Sequence, residues 1–211
     1  MKKSNKALTI VVVLFSMTAF AQQSDVRYEK SFEFEYSRQV GTWHDQVGEP
    51  DGFKFDAYLT KPVNSLKLMF VNGARIGDFT FLGVGFGLDY AKWDVEWRTM
   101  AGSMHNDEYS VSMPIFARIK VLFSNKKVAP FLNLDLGGNI LLASIWKREA
   151  RNYCYRYHGV IIKPGFGINI SFDSGQQLCF AVLYDFNNIP YNNYYIQHNI
   201  HSIGTKIVFL F

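Results

Sequence analysis

Apolar and polar residues alternate with a period of two along almost the whole chain, and after Phe20 no apolar run is long enough to cross a bilayer as a helix. That period belongs to strands, whose successive side chains point to opposite faces. Eight segments carry it: Tyr28 to Val40, Val63 to Asn72, Phe79 to Tyr90, Tyr109 to Phe123, Pro130 to Ser144, His158 to Phe172, Gln177 to Asn187 and His198 to Phe211. In the third, Leu82, Val84, Phe86 and Leu88 alternate with Gly83, Gly85, Gly87 and Asp89. In every segment one face is apolar and the other holds charges, amides and glycines.

A soluble sandwich alternates too, so two further features decide. The polar face is too rich in glycine for a free solvent surface, whereas glycine suits a crowded barrel interior. The connections also alternate in length. Asn72 to Asp78, Ser124 to Ala129 and Asp173 to Gln176 are short; Gly41 to Pro62, Ala91 to Glu108, Ile145 to Tyr157 and Asn188 to Gln197 are longer. Short periplasmic turns and long external loops are the pattern of outer-membrane barrels. The expected fold is all-β, an eight-stranded antiparallel up-and-down transmembrane β-barrel with both ends on the periplasmic side. Pro114 and Pro164 cannot donate to a ladder and a closed barrel has no edge strand, so a bulge is expected near each.

The N-terminus supports export. Lys2, Lys3 and Lys6 precede the apolar run Ala7 to Phe20, and Ala19-Phe20-Ala21 ends it with small residues at the outer positions. This is the form of a signal peptide over 1–21, with cleavage before Gln22 and one barrel domain over 22–211. The formal charge of +4 includes those three lysines, so 4 − 3 leaves +1 for the mature chain. No electrostatic case for nucleic acid remains. Cys154 lies in a polar aromatic stretch and Cys179 in an apolar strand; export permits a bridge between them without requiring one. Nineteen Phe, 12 Tyr and 4 Trp fit a membrane barrel better than a soluble enzyme.

Several blocks resemble the small outer membrane protein β-barrel domain proteins of Bacteroides-like bacteria, similar in shape to the OmpA and OmpX barrels. They are Val71-Asn72-Gly73-Ala74-Arg75, Leu82 to Leu88, Met113-Pro114-Ile115-Phe116-Ala117-Arg118, Pro130 to Gly137, and Pro164-Gly165-Phe166-Gly167-Ile168. The terminal Lys206-Ile207-Val208-Phe209-Leu210-Phe211 resembles the signal read by the barrel assembly machinery, with Phe209 and Phe211 as its aromatics. The resemblance spans the mature chain. It implies an eight-stranded barrel and no catalytic activity, and it brings no functional residues.

Candidate chemistry is sparse. His201 and Ser202 are adjacent and so face opposite ways; His198 and Ser202 share the interior face but stand four apart, unlike the His and Ser two apart of lipid A-trimming barrels. His44 with Asp45, and His105 with Asp107 and Glu108, are assigned to external loops, and nothing in the sequence makes them converge as metal ligands must. No catalytic, metal or cofactor residue is expected. Lys147, Arg148, Arg151 and Arg156 in the third loop lie among Tyr153, Tyr155 and Tyr157. They could grip lipopolysaccharide phosphates, although a solvated loop beside a tyrosine girdle is the plainer reading. Trp93, Trp97, Tyr191, Tyr194 and Tyr195 fit the same girdle.

The interior face receives Glu33, Glu35, Asp89, Asp135 and Asp185 against Lys67, Arg118, Lys120, Lys163 and Lys206. Five acids against five bases suggest a lumenal network, since buried charge is tolerated when paired. Counting residues up from each strand's periplasmic end puts Glu33 between Lys67 and Lys206, Arg118 beside Asp135, and Lys163 near Asp185. The functional expectation is a non-enzymatic outer-membrane barrel with an envelope-structural or surface-loop role, its partners being outer-membrane lipid, lipopolysaccharide and the assembly machinery. A lipid A-modifying enzyme and a narrow channel are the alternatives.

Overall fold

A computed structural model describes residues 26–40, 44–48, 54–99, 102–146, 158–190 and 197–211. The segment read as a signal peptide lies outside them. Nine strands are present: β1 (Val26–Gln39), β2 (His44–Gly48), β3 (Lys54–Ile76), β4 (Thr80–Thr99), β5 (Gly102–Leu122), β6 (Val128–Trp146), β7 (His158–Ser171), β8 (Gln177–Pro190) and β9 (Gln197–Leu210). From β3 to β9 each strand pairs antiparallel with the next, and β1 pairs with both β9 and β3. The sheet is therefore a closed eight-stranded antiparallel barrel. The ninth strand, β2, is a short addition to the outer end of β3, from His44↔Tyr58 to Gly48↔Lys54. No helix occurs among the described residues.

The wall is inverted relative to a water-soluble barrel. Along β1, Phe32 is 58% exposed while Glu33 is 2% and Glu35 0% exposed. Leu68, Phe86, Phe166, Val182 and Phe209 continue the exposed apolar band around the ring. Soluble monomers rarely show an apolar patch beyond a few hundred Å². Hydrocarbon is the solvent that accepts a continuous band of this kind.

The interior is filled, as eight strands require. Leu122, Ala129, Phe131, Cys179, Ala181, Leu183, Val208 and Leu210 form one buried apolar cluster toward the short-turn end. Met69, Val71, Phe81 and Phe116 form another. The lumenal glycines make room for these rings: a Cβ on Gly83 would stand 2.7 Å from Phe81 Cζ, one on Gly167 2.7 Å from Phe131 Cζ, and one on Gly85 would collide with the Phe116 ring. Two short turns use glycine differently, with Gly77 at φ 60° and Gly175 at φ 85°.

Two sequence expectations need correction. First, the stretches 41–62 and 91–108 are not simply loops. They contain β2, the outer part of β3 and a hairpin in which β4 and β5 stay paired out to Thr99↔Gly102. β3 to β6 run to 23, 20, 21 and 19 residues, against 14 for β1 and β7 to β9. Roughly 9–11 residues suffice to cross a membrane, so one side of the barrel carries a sheet beyond the apolar band. Second, a bulge accompanies only one of the two expected prolines. A register shift lies between Val111 and Ser112, near Pro114. At Pro164 the register is unbroken on both sides: Pro164 pairs with Leu134, and the ladder to β8 resumes from Ile162↔Phe186 to Gly165↔Leu183 without an inserted residue. The missing N–H costs that ladder a rung rather than its register. The larger irregularity is around Pro62, with shifts between Leu59 and Lys61 and between Lys61 and Asn64.

Candidate functional site

Alternation brings the interior charges together because each lies on the odd face of β1, β3, β4, β6, β7 or β8, or on the even face of β5 or β9. All ten are buried. They do not form one uniform network.

The inner group is built on Arg118. Its Nε and Nη2 donate to Asp135 Oδ1 and Oδ2 at 2.6 and 2.7 Å, a bidentate pair across the register partners Arg118↔Asp135. The same guanidinium donates to Glu33, with Nη2 to Oε2 at 3.0 Å and Nη1 to Oε1 as a second contact. Lys206 Nζ closes the group on Glu33 Oε2 at 3.4 Å. Two carboxylates thus face two cations, and the Phe116 ring lies under the guanidinium with 5.1 Å to its centroid.

The outer group is built on Glu35. It stands opposite Lys67 in one seam and Lys206 in the other. Lys163 Nζ donates to its Oε1 and Oε2 at 2.9 and 3.0 Å, and Lys67 Nζ lies 3.2 Å from Oε1. Asp185 accepts from Lys67 and lies 3.6 Å from Lys163. Asp89 is 3.8 Å from Lys67 and accepts from the Ser65 hydroxyl.

Lys120 stands apart. Its Nζ donates to Asn169 Oδ1 and Cys179 Sγ, each at 3.2 Å, and sits 4.3 Å from the Phe131 ring centroid. The Cys179 thiol donates to Asn169 at 2.9 Å. Cys179 is unbridged and buried, while Cys154 lies outside the described residues. At the inner mouth Arg75 Nε meets Glu29 Oε1 at 2.7 Å and its Nη2 donates to Gln177 at 2.9 Å, a pair that height counting passed over.

The height count therefore misplaced one residue. Glu33 contacts Lys206, but it stands opposite Met69, not Lys67. Alternation marks the segment ends at Tyr28 and Asn72, whereas pairing starts at Val26↔Ile76. The carboxylate facing Lys67 is Glu35. Glu33 turns instead across the lumen to Arg118, a contact that neighbouring-strand arithmetic cannot supply.

Ser202 is buried and His201 half-exposed, on opposite faces; the His201 ring pairs with the Tyr184 hydroxyl and packs against Phe186 at 5.2 Å. The backbone of His44 and Asp45 belongs to β2, and that of His105, Asp107 and Glu108 to β5, not to loops. Trp93 and Trp97 fall in β4. Lys147, Arg148, Arg151 and Arg156, with the tyrosines around them, lie outside the described residues. At the seam, Phe211 exchanges backbone hydrogen bonds with Lys30 at 3.0 and 3.4 Å and stacks on Phe32 at 5.8 Å; Phe209 is exposed opposite Phe32 and Leu178.

No family model matches the sequence, and no curated protein matches it. Among solved structures the chain is similar to Neisserial surface protein A, at 12% identity over 89% of this chain and 98% of that one, with a TM-score of 0.50. The outer membrane protein OprG from Pseudomonas aeruginosa matches at 12% identity over 89% of this chain and 95% of its own, with a TM-score of 0.49. At such identities the likeness to the first concerns the fold, a small closed antiparallel barrel.

Proposed function

We propose that the chain is an integral outer-membrane barrel of the type that the Bacteroides-like resemblance implies. It acts without enzymatic chemistry, as an envelope component whose outer sheet and loops meet partners at the cell surface. The observation that carries this reading is the pairing of an apolar outside with a filled interior. The band suits lipid, and ion pairs and aromatic rings occupy the space a channel would need. The strands that outrun the apolar band, β3 to β6, give the molecule material outside the membrane with which to make contacts. Lys147, Arg148, Arg151 and Arg156, which follow β6 in the sequence, are cations of the kind suited to lipopolysaccharide phosphates. Assembly depends on Phe209 and Phe211, which stand at the seam where β9 meets β1.

A deletion strain separates this role from lipid modification. Its lipid A mass spectrum should be unchanged while its envelope becomes more permeable to detergent. An altered acylation pattern restored by the intact gene would establish an enzyme instead.

A further inference from the structure

The ten interior charges balance in number but not in place. The inner group holds Glu33 and Asp135 against Arg118 and Lys206. The outer group holds Glu35, Asp89 and Asp185 against Lys67 and Lys163, three carboxylates to two ammoniums among the described residues. The balancing charge is Lys120, which has moved to the apolar inner cluster and pairs with a thiol and an amide rather than an acid. Among the described residues the outer group is thus one positive charge short.

Directly against that group lies a cavity of about 60 Å³, where serine hydroxyls and the amides of Asn139 and Asn187 stand beside Asp89, Asp185 and Lys67, with Val63, Ala91 and Ile200 completing the wall. This is room for a few waters, or for one small ion with part of its hydration. The polar part of its wall offers hydroxyl, amide and carboxylate oxygens, the ligand type hard cations take. The side-chain oxygens Asn139 Oδ1 and Asn187 Oδ1 are both buried and without a hydrogen-bond partner. Asn187 has its amide orientation set, because Nδ2 donates to Asp185 Oδ1 at 2.9 Å. Its carbonyl oxygen is left to face something that accepts electron pairs. Asp89 has the weakest claim on a cation of the three acids, with Lys67 at 3.8 Å.

We propose that this cavity binds one small monovalent cation, sodium or potassium, through the Asp89 carboxylate and the surrounding hydroxyl and amide oxygens. A divalent ion would overshoot the single missing charge. The site does not depend on the anchoring role proposed above.

The test uses the full mature protein in detergent, with thermal unfolding followed in potassium chloride, sodium chloride and choline chloride at equal ionic strength. Choline screens charge but is too large for the cavity. The small cations should raise the midpoint saturably, by roughly 3 °C at concentrations well above Kd for a chain of this size. Asp89→Asn should erase the difference between the small cations and choline. In crystals of the unaltered protein, rubidium should give an anomalous peak within the cavity, a readout that needs no variant. Equal midpoints in all three salts, a potassium effect retained in Asp89→Asn, or no rubidium peak would each overturn the proposal. Those are the results expected if Asp89 carries a proton, or if a loop cation covers it.

Discussion

Glu33 and Lys120 are both buried in the lumen, yet the structure gives them opposite energetic weight. Glu33 is 2% exposed and its two oxygens are shared by Arg118 and Lys206. Glu33→Gln leaves two cations with one acid, Asp135, between them. Breaking a buried ionic group from one side costs about 3–5 kcal/mol, so the urea unfolding midpoint should fall clearly; an unchanged midpoint would show that the inner group contributes no stability. Lys120 has no acid partner to abandon. In Lys120→Met the thiol of Cys179 still bonds Asn169 at 2.9 Å, and the new side chain enters an apolar cluster. Stability should change by about 1 kcal/mol or less. The sequence placed both residues on the interior face but could not distinguish them, because partners across a lumen are set by barrel closure and side-chain reach rather than by spacing along the chain.

At the scale of strands, alternation made the facing of the wall legible, from Phe32 against Glu33 in β1 to Phe209 against Val208 in β9. Strand ends were less legible. Trp93-Asp94-Val95-Glu96-Trp97-Arg98 alternates as regularly as any barrel segment, yet nothing in the sequence marks where the membrane-crossing part ends and the outer extension begins. Similarly, β3 continues past Asn72 to Ile76, and this moves the register against β1 so that Glu35 rather than Glu33 meets Lys67. The hairpin beyond the apolar band should be separable from the barrel. Replacing residues 94–107 with Asn-Gly, which joins the paired Trp93 and Glu108 by a two-residue turn, should leave a folded form that runs differently on gels before and after boiling. Loss of that form would mean the extension is needed for closure. The opposite is expected at the seam. Phe211→Ser removes the stack on Phe32 beside the β1–β9 junction and should leave most of the protein uninserted or degraded. Normal membrane levels would remove the assembly role given to the terminal aromatic.

The molecule as a whole has a closed wall, an outside suited to hydrocarbon and, among the described residues, a filled interior. Purified protein in planar bilayers should show no porin-sized conductance steps, since the cavity beside the inner group is about 20 Å³ and the outer one about 60 Å³. Closure and facing are tested together by spin labels placed singly from Ser31 to Ser37 of β1, in a background without Cys154 and Cys179 and reconstituted in lipid. Labels at Phe32, Phe34 and Tyr36 should be open to oxygen, which concentrates in hydrocarbon, and shielded from a water-soluble nickel chelate. Labels at Ser31 and Ser37 should be shielded from both. High chelate accessibility at Phe32, Phe34 and Tyr36, or oxygen accessibility at Ser31 and Ser37 instead, would contradict the central claim that this is a lipid-embedded barrel with a packed, charge-paired interior.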